Sequence, residues 1–596
     1  MININYQKRS NNELFKNFEN KDNFNLSKIQ NYIPIYKKFF SLNKTNYNNI
    51  NLNNEWFILK INNIDKIKNN NNKIQNKNCY NCNIKNINTQ NILSKNIFFK
   101  IAPLLDPYKY LVGKYNINDN NLFKLPTIED NDSLKINDTN NSAYVDGFFS
   151  YLSSSLINKY NFHHGVEYYG SFLAIQNNFT INVFDDLEYL NQSNFFNINK
   201  DVLFKIDNYD HLFIKETNNL APIKIDYTST SKSNLSIKSI DDIESLFEDI
   251  FEKDNNSNTG ATTFTNELID ITNSNDIINC IKDNNVSLKS NSSCSSRSSY
   301  TNSDDSDEEL NNDDNNNKSD ENSNESDAEE SNNDESDGSY ESYESDEEEI
   351  YVTIPQFPIE IICMEKCDNT FDDLIISNNL KDEEWYSAFM QIIMILITYQ
   401  KAFSFTHNDL HTNNVMYNDT NKKYIYYCYN KKYYKVPTFG RIFKIIDFGR
   451  SIYKFNKKLF CSDSFKNGED AATQYNTEPY FNEKKPRLEP NYSFDICRLA
   501  CSIFDYVIDD MSQVKNCNPL QKLIVEWCLD DKGVNILYKN NNTDRYPDFK
   551  LYKMIARCVH NHTPQAQLER SQFKQYLYTK EHIPGDIINI DNIPIF

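Results

Sequence analysis

The chain has 596 residues, with 62 Lys+Arg against 84 Asp+Glu and a formal net charge of -22. Residues 301–350 alone hold 22 acidic side chains and one base, Lys318, so the rest of the chain balances at -1. A near-neutral body with one acidic tract lacks the basic patch that releases counterions from phosphates, which argues against a nucleic-acid partner. No apolar run approaches the ~18–20 residues of a membrane span, and the N-terminus lacks an apolar segment after its charges. The 13 Cys are scattered without regular spacing. The expectation is a soluble protein of a reducing compartment, the cytoplasm, with no membrane partner.

Abundant Asn, Ile, Lys, Tyr and Phe beside only 11 Gly and 16 Pro reads as AT-rich coding, which weakens propensity arguments. Residues 1–90 are Asn-rich with short aromatic patches and are expected to form weak local elements and polar connectors. The run Asn96-Ile97-Phe98-Phe99-Lys100-Ile101, closed by Ala102-Pro103, reads as a buried strand. From 143 to 157, apolar residues recur at three- and four-residue intervals, as one face of a helix requires. Strands are expected over 165–175 and 181–187. From about 215 the chain loses hydrophobicity and becomes runs of Ser, Asn, Asp and Glu, where charge repulsion and missing apolar side chains leave nothing to offset the entropy of ordering. Order resumes at Tyr351, with a strand at 359–364 and a long helix over 382–402. Short β pieces follow around Val415 and Ile445, then helices at about 494–508, 519–528 and 551–559.

The chemistry is concentrated in His407-Asn408-Asp409-Leu410-His411-Thr412-Asn413-Asn414, followed by Lys444-Ile445-Ile446-Asp447-Phe448-Gly449. These segments resemble the protein-kinase catalytic loop, His-Arg-Asp with Asn five residues after the Asp, and the Asp-Phe-Gly metal motif. The segment from Asp495 to Ile503 resembles the helix whose Asp ties to the catalytic-loop backbone. The stretch His163 to Phe172 resembles the segment after the regulatory helix, Met364-Glu365-Lys366-Cys367 the hinge, and His562 to Leu568 the last helix. The nearest resemblance is to serine/threonine protein kinases of giant DNA viruses.

That resemblance implies an α+β, bilobal protein-kinase-like fold, with a small β-rich N-lobe, a larger helical C-lobe and a long disordered acidic insertion in the N-lobe. Residues 1–90 would hold the first N-lobe strands and 91–214 the N-lobe. The insertion would occupy 215–350, the last N-lobe strand and hinge 351–366, and the C-lobe 367–596. It further implies ATP and Mg²⁺ as cofactors and a protein substrate. Asp409 would act on the acceptor hydroxyl with His411 beside it, and Asn414 and Asp447 would hold the metal. Lys100, paired with Asp146, would neutralise the phosphates, while Met364, Glu365 and Cys367 would face the adenine. For a viral protein the compartment would be the host cytoplasm or the virion.

The pattern also departs from the family. No Gly precedes Gly113, so the glycine-rich phosphate loop is missing, which opens a pseudokinase scaffold as an alternative. Asn408 stands where an Arg usually answers a phosphorylated activation segment, so activity should not depend on such phosphorylation. His411 replaces a Lys. The His-Asn-Asp order also resembles choline and aminoglycoside kinases, a small-molecule alternative. The step of 33 positions from Asn414 to Asp447 includes 422–429 and 432–436, which alternate aromatic and polar around Asn430-Lys431 as an inserted β-hairpin would. Cys79-Tyr80-Asn81-Cys82 has no second pair to complete a zinc site. Within the acidic tract, Ser306-Asp307-Glu308-Glu309 and its like resemble acidophilic acceptor sites. The tract is thus a phosphorylation target or a binder of basic partners, against the alternative of a solvating linker. Deleting about 285–349 is expected to leave folding and nucleotide binding intact.

Overall fold

The computed structural model describes residues 2–21, 24–62, 78–129, 134–212, 349–377, 380–579 and 585–596. The insertion expected over 215–350 lies outside the described residues, apart from its last two positions. The chain forms two compact units, Met1–Asn208 with Ser293–Phe596, and Tyr209–Ser292. Of the second, only a turn at Asp210–Leu212 is described; all that follows concerns the first.

Secondary structure is mixed α+β. A seven-stranded antiparallel sheet runs in the order Leu26–Gln30, Tyr168–Asn182, Tyr351–Glu365, Ile92–Pro103, Cys79–Asn86, Trp56–Ile61, with Lys205–Ile206 also paired to Tyr351–Glu365. Its middle strand is buried continuously from Phe357 to Glu365, because both faces are covered. On one face lies the helix Asn12–Glu19, whose Phe18 meets Phe99 edge-on at 5.8 Å and Phe172 at 6.0 Å. Alternation along the strands sends Lys100, Ser171 and Glu360 to the other face, against the helix Ser142–Tyr160. That helix starts where the Asn141 side chain accepts from the Ala143 N–H, and ends at Asn161 with φ 54°.

The Asn-rich first 90 residues are more than connectors: they supply three strands of the sheet and the helix that covers it. A second correction concerns the strand over 165–175. It begins at Tyr168 and runs on to Asn182, and the separate strand expected over 181–187 does not form. Phe184–Asp186 and Leu187–Asn191 are helical turns there, and the three-residue spacing of buried Leu187 and Leu190 is what favours them.

The helical part is built around Asp382–Phe403, buried on nearly every side. Asp382, Glu383 and Glu384 favour its N-terminus through the helix dipole, and Ser404 at φ 50° ends it. Phe494–Val507, Pro519–Trp527 and Lys550–Cys558 are helices close to the expected spans, whereas the expected last helix is only Pro564–Gln567. Val415–Asp419 pairs antiparallel with Arg441–Ile445. Between them the expected hairpin forms, Tyr424–Tyr429 with Lys432–Pro437, turning at Asn430 and Lys431 with φ 51° and 60°. Among the described residues no helix is long and apolar enough to cross a membrane.

Candidate active site

Strand pairing joins the two motifs. Val415 is opposite Ile445, and one step further the Ile446 N–H donates to the Asn414 carbonyl at 3.0 Å. The hairpin absorbs the intervening chain, so Asp447 returns beside Asn414. The loop that leads to Asn414 is fixed from below by Asp495, fully buried, whose two carboxylate oxygens accept from the His407 and Asn408 N–H groups, each at 2.9 Å. Asn408 has φ 64°, a left-handed turn that Asn tolerates better than most residues. His407 Nε2 donates to the Ile446 carbonyl at 2.9 Å, which leaves Nδ1 to accept from the Asp409 N–H at 3.3 Å. Asn414 Nδ2 donates to the Asp409 carbonyl at 2.9 Å and to His411 Nε2 at 3.0 Å. With both amide hydrogens engaged, the group Asn414 offers a cation is Oδ1.

Lys100 stands between two carboxylates, 2.6 Å from Asp146 Oδ2 and 2.8 Å from Asp447 Oδ1. Asp146 Oδ1 also accepts from the Phe448 N–H at 3.0 Å, which ties the helix Ser142–Tyr160 to the second motif. Burial pushes the Asp146 carboxyl above its ordinary value, against the pull of Lys100. Partial desolvation acts in the same sense on Asp447, whose side chain is half exposed, but there the Lys100 ammonium outweighs it and holds the carboxyl below the usual carboxylate range.

Asp409 is buried, and its Oδ1 accepts from the Tyr552 hydroxyl at 2.8 Å. Its Oδ2 lies 4.0 Å from Arg450 Nε, and Arg450 is itself ion-paired with Asp470. Burial would lift the Asp409 pKa; the Arg450 guanidinium, then His411, Arg498 and the Tyr552 hydrogen bond, bring it below the ordinary value. Burial drives the His411 imidazole down to about 4, so it is neutral at pH 7. It serves here as an acceptor for Asn414 rather than as a cation.

Lys100, Asp146, Asp409, Asp447, Arg450 and Phe549 line one cavity of about 260 Å³. The structure does not bring Met364, Glu365 and Cys367 to its lining. All three are buried, Met364 lies within the sheet between Phe98 and Tyr168, and Glu365 forms a buried ion pair with Lys444. Lys444 Nζ also donates to the Gly165 carbonyl at 2.6 Å. Sequence reasoning missed this pair. It also missed Arg450, Tyr552 and His164, whose Nδ1 lies 2.7 Å from the Phe443 carbonyl and whose Nε2 lies 2.6 Å from the Tyr427 hydroxyl. Only Arg450, adjacent to Gly449, had a signal in the local sequence.

Cys79 and Cys82, three apart on one strand, point to opposite faces and cannot chelate together. Among the described residues no three His, Cys, Asp or Glu side chains gather as a metal cage. Asn414 Oδ1 and the Asp447 carboxylate still fit magnesium, which is commonly held by one or two protein ligands with phosphate oxygens and water completing the shell. No protein-family model matches this chain, and no curated protein matches it.

Proposed function

We propose that the chain is an ATP- and magnesium-dependent protein kinase of bilobal fold that transfers the γ-phosphate to Ser or Thr hydroxyls of proteins. One observation carries the reading: Lys100, Asp146, Asp409 and Asp447, from four separate segments, line a single cavity, and Asn414 is hydrogen-bonded to the Asp409 backbone. A strand lysine paired to an acid on the following helix, facing two motif aspartates, is the arrangement that phosphoryl transfer by kinases requires.

Asp409, kept ionised, orients the acceptor hydroxyl and takes its proton. Lys100 offsets phosphate charge, with Asp146 holding the ammonium in place. Asn414 Oδ1 and Asp447 would hold the magnesium, which supplies neutralisation of charge developing on the transferred group. Because Lys100 is held by Asp146 and Asp447, Asp146 by the Phe448 N–H, Asp409 by the Tyr552 hydroxyl and Asn414 by the Asp409 carbonyl before substrate arrives, little reorganisation remains to be done in the transition state. The test is phosphate transfer from Mg-ATP to a generic protein substrate by the purified chain. Asp409→Asn should reduce the rate by roughly 10²-fold or more; an unchanged rate removes Asp409 from this role.

A second reading, a scaffold that does not turn over, is favoured by the cavity stopping short of Met364, Glu365 and Cys367. A thermal-shift titration separates the two. At ~100 times its dissociation constant Mg-ATP should stabilise a binding-competent chain by ~2.7 kcal/mol, and a chain that shows no shift is the scaffold.

A further inference from the structure

The Asp409 main chain is held from several sides, but its carboxylate is not fixed by the catalytic loop. The loop's hydrogen bonds engage the Asp409 N–H and carbonyl, through His407 Nδ1 and Asn414 Nδ2. His411, two residues on, is turned to Asn414. The donor that reaches the carboxylate comes instead from the helix Lys550–Cys558, 143 residues away in sequence: the Tyr552 hydroxyl, 2.8 Å from Asp409 Oδ1.

Tyr552 is held as firmly as the group it binds. Its ring stacks on Phe549 at 4.9 Å and 13°. Phe494 lies 6.1 Å away, next in sequence to the Asp495 that anchors the loop. Two guanidinium groups flank the ring, Arg498 at 5.0 Å and Arg450 at 5.8 Å from its centroid. A carboxylate carrying out proton transfer must keep one oxygen on the acceptor and its rotamer constant; a fixed donor on Oδ1 leaves Oδ2, 4.0 Å from Arg450 Nε, as the other oxygen of a residue that lines the cavity.

We propose that Tyr552 is the positioning residue for Asp409: its hydroxyl fixes the carboxylate so that Oδ2 meets the acceptor hydroxyl. The inference rests on the kinase reading above and deepens it.

The experiment is Tyr552→Phe in the full chain, which keeps the ring and its stacking and removes only the hydroxyl. The expected result is kcat lower by roughly 10- to 100-fold with an unchanged KM for Mg-ATP. The Mg-ATP thermal shift of the variant should match that of the wild type, which shows it folded. A kcat equal to the wild type overturns the inference, as does a lower kcat accompanied by a raised KM for Mg-ATP, the mark of a merely structural role. Phosphate found on Tyr552 after incubation with Mg-ATP also overturns it, since the hydroxyl would then be an acceptor. Active wild type with an indifferent Tyr552→Phe removes this inference alone, whereas wild type that transfers no phosphate removes the kinase reading and the inference together.

Discussion

Asp146 reaches Lys100 at 2.6 Å across 46 residues of chain, with an aspartate where the family resemblance leads one to expect the longer glutamate. The shorter side chain suffices because the helix approaches the sheet closely beside it, at Gly147. Asp146→Asn should therefore lower kcat roughly tenfold or more, since Lys100 would keep only Asp447 as partner. Asp146→Glu, conservative by charge, should also be impaired, because its additional methylene displaces the carboxylate from the Lys100 ammonium and the Phe448 N–H that it now reaches together. Steady-state kinetics of both variants decide this; a fully active Asp146→Glu would mean that helix and sheet can separate.

The close approach depends on Gly147. A Cβ there would lie 2.5 Å from Glu360 Oε1 and 3.2 Å from Ser171 Oγ. Gly147→Ala should destabilise the fold by about 1–3 kcal/mol through overpacking, in spite of alanine's better helix propensity. Urea denaturation measures the loss, and a stabilised variant would contradict the packing described.

Asn408 links both ends of the segment after the second motif. Its Nδ2 donates to the Arg450 carbonyl at 3.0 Å, and its Oδ1 accepts from the Tyr475 hydroxyl at 2.8 Å. Further along, Lys135 pairs with Asp463 at 2.9 Å and Glu469 at 3.1 Å, and Lys109 pairs with Glu469 at 2.9 Å. Neutral and carboxylate groups thus supply the tethers a phosphate would supply elsewhere. Phosphatase-treated protein should keep its full rate. Tyr475→Phe should cost about 1–3 kcal/mol by leaving a buried Asn408 oxygen unpaired. Activity that collapses after phosphatase treatment would show the tethers to be insufficient.

His164 gives the fold a pH dependence of known sign. Fully buried between the Phe443 carbonyl and the Tyr427 hydroxyl, it is driven by burial down to about 3. The unfolded chain takes up a proton below pH ~6.5 that the folded chain refuses. Its contribution is therefore complete above pH ~6.5 and is lost as pH falls toward the folded value, by ~2 kcal/mol at pH 5. His164→Gln should flatten the decline in urea midpoint between pH 7 and 5. Parallel slopes for wild type and variant would assign the decline to other groups.

The parts of the site legible in sequence are those that chemistry confines to a few adjacent positions. Asp409 with Asn414, and Asp447 with its Phe-Gly, are readable because one turn must serve two tasks. Lys100 was readable from its position in the short apolar run that ends at Ala102-Pro103, and the hairpin from its alternation around Asn430-Lys431. Tyr552, Lys444 and His164 were not, because what gives each its role is a contact made only when distant elements pack: 143 residues separate Tyr552 from Asp409, and 279 separate Lys444 from Gly165. The first 90 residues were underread for another reason. Their strands are rich in Asn and Lys, such as Cys79–Asn86, and they hold because neighbouring strands satisfy their backbone, which propensity does not register.

Asp495 carries one last consequence. By accepting from two successive N–H groups of the loop while itself sitting in the helix Phe494–Val507, it leaves His407-Asn408-Asp409 no way to loosen unless that helix leaves the core. The loop has no private melting transition. Heat inactivation and the cooperative loss of helical signal should then follow a single curve, and a protease that cuts within 407–409 would be reporting the global unfolding equilibrium rather than a breathing loop.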